Sequence, residues 1–124
     1  MPYVLTYDEG SNIAEMTFTG SMVRDDINES TREGTELQKR TGVTRFLLDM
    51  RQAELRVAHS DVFELPAVKY WVLDRRTRIA VIQPDSERGR EAVIFYRDAC
   101  QNRGWNTRIF SDRESAIQWL VALT

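Results

Sequence analysis

The spacing of apolar and polar residues changes period several times along this chain, and each change marks an element. Ile13 to Thr19 alternates strictly, with Ala14, Met16 and Phe18 on one side and Ile13, Glu15, Thr17 and Thr19 on the other. That is the pattern of a strand with one buried face. Tyr3 to Tyr7 alternates too, and Asp8-Glu-Gly-Ser-Asn12 between them carries the Gly and Asn that tight turns need, so the two runs predict a hairpin. From about Arg24 to Arg40 the period lengthens to that of a helix. Asp25 and Asp26 stand in its first turn and Lys39 and Arg40 in its last, an order that complements the helix dipole. Its inward stripe runs Val23, Ile27, Ser30 or Thr31, Gly34 and Leu37. So thin a stripe implies close approach, either to a sheet or to a helix of a second subunit.

The run Val43-Thr-Arg-Phe-Leu-Leu-Asp-Met50 predicts a buried central strand opening after Gly42, and the other elements are arranged around it. Arg51 to His59 has no clear period and predicts a loop. Ser60 then caps a helix, with Asp61 where negative charge is favoured. Val62 to Leu73 carries only Glu64 and Lys69 as charges, so apolar groups point in nearly every direction, and Pro66 divides it into a short turn and a fresh start. Thr77 to Ile82 is a second buried strand. Ser86 caps the next helix, whose inward positions are Ala92, Phe95, Tyr96, Ala99 and Cys100, and Gly104 closes it with a left-handed cap. Trp105 to Phe110 is a short strand. Ser111-Asp-Arg-Glu114 reads as a capping box before a last helix with Ala116, Trp119, Leu120 and Leu123 inward. The order is β-β-α-β-α-β-α-β-α, an α/β chain whose sheet is mainly parallel apart from the hairpin, in one domain spanning residues 1–124.

Composition narrows the function classes. The 17 basic and 19 acidic residues are interspersed and leave a net charge of −2, so there is no basic block of the kind that binds nucleic acid. One cysteine excludes an internal disulfide framework and fits a reducing cytosol. The first residues lack the regions of a signal peptide, and no apolar run reaches the roughly 18 residues that span a bilayer. A cytoplasmic protein is expected.

Chemistry-bearing motifs are few. No glycine-rich phosphate loop follows any strand, and one His with one Cys argues against a zinc-type metal site, so no cofactor is expected. Cys100 falls on the buried stripe of its helix and reads as a small core hydrophobe. His59, Ser60 and Asp49 contain the residue types of a hydrolase, but chain neighbours seldom bring nucleophile and base side chain to side chain, so an enzyme is not expected. Arg51, Arg56, Arg75 and Arg76 flank what reads as one sheet end, as an anion contact or as solvated surface.

Several segments together resemble a known family: Gly20-Ser-Met-Val-Arg-Asp-Asp26 after a hairpin, Phe46-Leu-Leu-Asp-Met-Arg51, Arg78-Ile-Ala-Val81, Asn102-Arg-Gly-Trp105, and Ile109 to Leu120. They resemble the small bacterial SpoIIAA-like proteins of the STAS superfamily. The resemblance covers nearly the whole chain through strand cores and helix caps. It implies a SpoIIAA/STAS-like mixed sheet of four or five strands with the helices mainly on one face, and a fold-level similarity to CRAL-TRIO lipid-transfer domains. It also implies a regulatory role: anti-anti-sigma factors of that superfamily bind a kinase near the helix after the central strand, and a phosphoserine at its start switches binding off. Ser60 occupies a similar place, as helix cap or as phosphoswitch, although the neighbouring Asp61 disfavours added negative charge.

The surplus of apolar side chains in Val62 to Leu73 is the strongest functional signal. With half of it covering the sheet, Phe63, Leu65, Tyr70 and Trp71 are left as a contact surface. The first reading is a non-enzymatic regulatory or protein-interaction domain that forms a homodimer through this surface and meets a regulatory partner. The second is a small carrier or sensor with an apolar, lipid-like molecule held between that helix and the sheet, under the loop Gln52 to Ala58. Burial of the whole run within one subunit is the third.

Overall fold

The computed structural model describes residues 3–56 and 74–122. Strands β1 (Tyr3–Asp8) and β2 (Ile13–Met22) form the expected antiparallel hairpin, with Tyr3 opposite Phe18 and Asn12 turning the chain at φ 57°. Strands β3 (Arg45–Leu55), β4 (Arg78–Ile82) and β5 (Asn106–Phe110) then add in sequence order, each parallel to the one before. The result is a five-stranded mixed sheet in the order β1-β2-β3-β4-β5.

That order decides where the helices lie. Helix α1 (Arg24–Thr41) joins β2 to β3, and α2 (Glu87–Asn102) joins β4 to β5. Both steps move across the sheet in one direction, and right-handed crossovers in one direction place their helices on one face. Helix α3 (Arg113–Val121) follows the last strand and closes the opposite face. Two of the three described helices therefore share a side, as the resemblance implied.

Alternate residues of the inner strands supply the two cores. Phe46, Ile79 and Val81 face α1 and α2, while Leu47, Ala80 and Ile82 meet Ala116 and Leu120 of α3. A strand buried on both faces reads as a continuous apolar run, which is why β3 and β4 stand out in the sequence.

Helix α1 approaches the sheet closely. A Cβ at Gly34 would come within 2.8 Å of the Met16 terminal methyl, so the small residue is there for packing, the first of the two alternatives for the thin stripe. Val23, expected to face inward, is 47% exposed and serves instead as the helix N-cap residue, its N–H donating to the Asp26 carboxylate. Gly42 ends α1 at φ 76°, a left-handed conformation, and gives its N–H to the Gln38 carbonyl.

Gln38 ties three segments together from a buried position. Its amide nitrogen donates to the Val43 carbonyl and to Thr77 Oγ1, both at 2.9 Å, and its oxygen accepts the Asp74 N–H at 2.8 Å. The end of α1, the start of β3 and the approach to β4 are thus fixed by one side chain.

Three other sequence expectations are corrected. In α2 the inward stripe is Gly89, Ala92, Val93, Ala99 and Cys100, with Tyr96 half-buried, and Phe95 is 39% exposed. The helix is rotated so that Val93 takes the place expected for Phe95. In α3 the cap is Asp112, which accepts from the Ser115 N–H at 2.8 Å, while the Ser111 hydroxyl accepts from the Gln83 side chain. The third correction is the length of β3. It does not stop at Met50 but runs to Leu55, through residues expected to form a loop.

Two substitutions test this packing. Gly34→Ala should be close to neutral in urea unfolding, since about 1 kcal/mol of helix propensity offsets the displacement of a flexible methionine end. Gly34→Leu should destabilise by about 2 kcal/mol or more through overpacking. Gln38→Leu leaves the Asp74 N–H and the Val43 carbonyl without their partner and should cost about 2 to 3 kcal/mol in the same measurement.

Candidate functional site

The pairing of β2 with β3 explains why the latter runs past the end of its alternating pattern. Thr17 lies opposite Asp49 but Thr19 lies opposite Gln52, so β3 holds one extra residue at this point, a β-bulge. A bulge frees a backbone N–H from the ladder, and here Asp49 satisfies it: its carboxylate accepts the Arg51 N–H at 3.1 Å. The same carboxylate takes Nε and Nη2 of Arg51 at 3.0 and 2.7 Å. The extra residue also shifts the facing pattern. Phe46, Leu48 and Met50 point to the α1 and α2 side before it, and Ala53 and Leu55 do so after it.

Asp49 is only 8% exposed, and the Arg51 guanidinium beside it holds its carboxyl below the usual carboxylate range against the opposing effect of burial. Nearby, Arg113 of α3 pairs with Glu15 of β2 at 2.7 Å. Opposed charges thus close on one another between the first half of β2, the bulge of β3 and the start of α3. Asp49 is committed to Arg51 and is not a free acid or base for the His59 and Ser60 pair.

Beyond the bulge, an open hollow lies at the carboxyl edge of the sheet, the place where open α/β sheets take ligands. Arg51, Arg56 and Arg88 line it, together with Glu54 and Asp85. The structure therefore brings Arg51 and Arg56 together as expected, each already paired: Arg51 with Asp49, and Arg56 with Glu54 at 2.9 Å. Arg75 and Arg76 are not part of this group. They precede Arg78, which lies opposite Arg45 at the amino end of the parallel β3 and β4, so they sit at the other edge of the sheet. Ser60, Phe63, Leu65, Tyr70 and Trp71, as well as His59 and the rest of the apolar run, lie outside the described residues.

A second space was not anticipated. Between α1, α2 and the sheet is a cleft of about 80 Å³, lined by apolar side chains that include Met16, Met22, Phe46, Met50, Leu55 and Val93. Its few hydroxyls are occupied, with Ser30 and Thr31 both donating to the Ile27 carbonyl. Among the described residues no buried side-chain nitrogen or oxygen lacks a partner. The described side chains around it are apolar or already hydrogen-bonded and offer nothing to a buried polar group. Its walls come from five elements, and the one local hint in the sequence is the small-residue stripe of α1.

Cys100 is fully buried behind the cleft. Burial pushes its thiol up to about 12, against the smaller effects of hydrogen bonds with Tyr96 and Thr107. A thiol held neutral is no nucleophile, as its place on the helix stripe suggested. Among the described residues no group of three or more His, Cys, Asp or Glu is placed to hold a metal, and no helix is long and apolar enough to cross a membrane.

Similar architecture occurs in solved structures. An uncharacterised protein of the DUF3478 family from Shewanella loihica PV-4, described as having a SpoIIAA-like fold, superposes with a TM-score of 0.58 at 16% identity, covering 95% of this chain and 91% of that one. The anti-sigma factor antagonist SpoIIAA in its unphosphorylated form superposes with a TM-score of 0.60 at 14% identity, covering 98% of this chain and 99% of its own. The fold is SpoIIAA-like. At these identities the likeness establishes architecture only, and no family model and no curated protein matches the sequence. Within this SpoIIAA-like sheet, the bulge and the hollow lie at the carboxyl ends of the strands, and the cleft lies on the face of the two crossover helices.

The Asp49 contact gives a pH-dependent prediction. A carboxyl whose pKa is depressed on folding adds stability above its unfolded value, near 4, and that stability is lost as pH falls through the folded value. Asp49→Asn keeps an oxygen for the Arg51 N–H but loses the charge. Because the Arg51 side chain is 44% exposed, solvent screening limits the cost to about 1 kcal/mol at pH 7. The difference between the two proteins in urea unfolding should shrink progressively as pH falls below about 4.

Proposed function

We propose that this chain is a non-enzymatic, cytoplasmic regulatory domain of the STAS type, which acts by binding protein, first of all a second copy of itself. The observation that carries the reading is the superposition on an anti-sigma factor antagonist over nearly the full length of both chains. The proposed contact surface is Phe63, Leu65, Tyr70 and Trp71, in the most apolar stretch of the sequence. Trp and Tyr are the residue types that anchor such contacts. Ser60 belongs to the reading as the point where a phosphate, with about two negative charges, would alter docking. The commitment of Asp49 to Arg51 supports a non-enzymatic role, since it occupies the carboxylate that the sequence offers for a hydrolytic pair.

A second reading, a carrier or sensor for an apolar small molecule, is favoured by the apolar cleft between α1, α2 and the sheet. The two differ in mass and in cargo. Under the first, light scattering gives twice the 14.4 kDa chain mass, and Trp71→Asp weakens association at least about thirtyfold, the effect of losing one interface anchor. A wild-type monomer at high concentration would remove the dimer. Under the second, native mass spectrometry shows an adduct retained by the purified chain.

A further inference from the structure

The two outer strands of the sheet differ in how they meet solvent. Strand β5 is guarded: Arg108 stands exposed at its middle and Arg103 just before it, and cations on an edge strand discourage the addition of another. Strand β1 carries none of the devices that protect natural edges. Tyr3 to Tyr7 contains no charge, no proline and no glycine, and its pairing with β2 runs from Tyr3 to Asp8 without a bulge. Val4 is 61% exposed, more than any other large apolar side chain among the described residues. Alternate residues of β1 turn their N–H and C=O away from β2, where no described strand meets them. The connection that lies outside the described residues, 57–73, joins β3 to β4, and β1 is two strands removed from that pair. The surroundings of β1 are acidic. The first 23 residues hold Asp8, Glu9 and Glu15 and no Lys or Arg. Glu15 is taken by Arg113, whereas Asp8 and Glu9 are exposed at the end of β1, and Glu33 of α1 reaches its start, where it accepts the Tyr3 hydroxyl at 2.5 Å. Asp8, Glu9 and Glu33 make no ion pair with the described residues.

We propose that the free side of β1 is a docking edge for a partner protein, which adds an extended segment of alternating apolar and basic residues to the five-stranded sheet as a further strand. This rests on the reading that the chain acts by binding protein, and it gives the regulatory partner a surface and a chemical class. Backbone bonds to β1 supply affinity, and the two faces of the added strand supply selection. Val4 and Thr6 share one face, and an apolar side chain opposite Val4 covers a surface that is otherwise wet. Tyr3, Leu5 and Tyr7 share the other, opposite Phe18, Met16 and Ala14 and beneath α1. There the stems of Lys or Arg lie along Leu5 and Tyr7 while their heads reach Glu33. An acidic segment is turned away by Asp8, Glu9 and Glu33. A second copy of β1 fits this edge less well, because it brings the same carboxylates and no cation before Arg24.

The test is fluorescence titration of the full chain with a short, end-blocked peptide that alternates lysine and valine. Three counterparts accompany it: one with glutamate for lysine, one N-methylated at every lysine and one N-methylated at every valine. In an extended peptide the lysine N–H groups all point to one edge and the valine N–H groups to the other. One methylated peptide should therefore bind about tenfold more weakly while the other binds nearly as well as the parent. The glutamate peptide should bind at least about tenfold more weakly. Hydrogen exchange should slow at alternate amides within Tyr3–Asp8 when the lysine peptide is added. Val4→Arg gives β1 the guard that Arg108 gives β5 and should weaken the lysine peptide about tenfold. The methylated pair, used on the unaltered protein, decides the question even if that variant does not fold. Equal loss or equal retention with the two methylated peptides would overturn strand addition, and equal binding of the glutamate peptide would overturn the basic class. A free chain that is a dimer and becomes a monomer on Val4→Arg would give the edge to a second copy, against the proposal. Peptide binding is read apart from the mass of the free chain. A monomer that binds the peptide removes the dimer of the previous reading and keeps the edge, and a dimer that ignores the peptide removes the edge alone.

Discussion

The geometry of this protein depends on a single extra residue in its central strand. Without the bulge after Asp49, the alternation of β3 would turn Gln52 and Glu54 towards α1 and α2 and put Ala53 and Leu55 on the other face. With it, Leu55 lines the cleft and the charged residues line the edge. The bulge in turn depends on a carboxylate, because the Arg51 N–H that leaves the ladder would otherwise lack a partner next to a buried strand. Asp49 is therefore a structural residue first. Its low pKa follows from holding the bulge together and is not the mark of a catalytic acid.

The same local event explains what was legible in the sequence. Element identity was clear wherever the period was unbroken: the hairpin, α1 with its terminal charges, β4, and the Ser86 cap of α2, whose hydroxyl accepts the Gly89 N–H as read. A period-two pattern cannot survive an inserted residue, so the last five residues of β3 read as loop. The rotation of α2 had a different cause. Val93, Tyr96 and Cys100 form a helical stripe as good as that of Phe95, and only the sheet beneath chooses between them. Arg75 and Arg76 were grouped with Arg51 and Arg56 because sequence proximity to strand ends does not say which end. The cleft was invisible for a related reason: it belongs to no element, and its walls come together only when β2, β3, β4, α1 and α2 are assembled.

Two long polar side chains hold what the apolar layers do not. Gln38 fixes the α1 end of one face, and Arg78 does the corresponding work on the other. Its guanidinium donates to the carbonyls of Trp119 and Ala122 at the end of α3, the first of which also accepts the Ala122 N–H. It also lies over the Trp119 ring at 5.7 Å, with Arg108 at 5.5 Å. Helix α3 is short and fully buries only Ala116 and Leu120, so this clasp adds to the packing of Ile117 and Trp119 in keeping it on the sheet. Both faces are thus pinned at the amino edge of the strands. At the carboxyl edge the described residues contribute the Arg51–Asp49 and Arg56–Glu54 ion pairs and the backbone bonds from Arg56 to Met22 and from Gln83 to Phe110.

The enclosure of Cys100 has a practical consequence. It is the one sulfhydryl in the sequence and is sealed from solvent in the folded chain, so an alkylating dye can reach it only in molecules that have opened. The native protein therefore carries its own gauge of conformational opening, and a second cysteine placed on the surface could be labelled selectively without first removing the first.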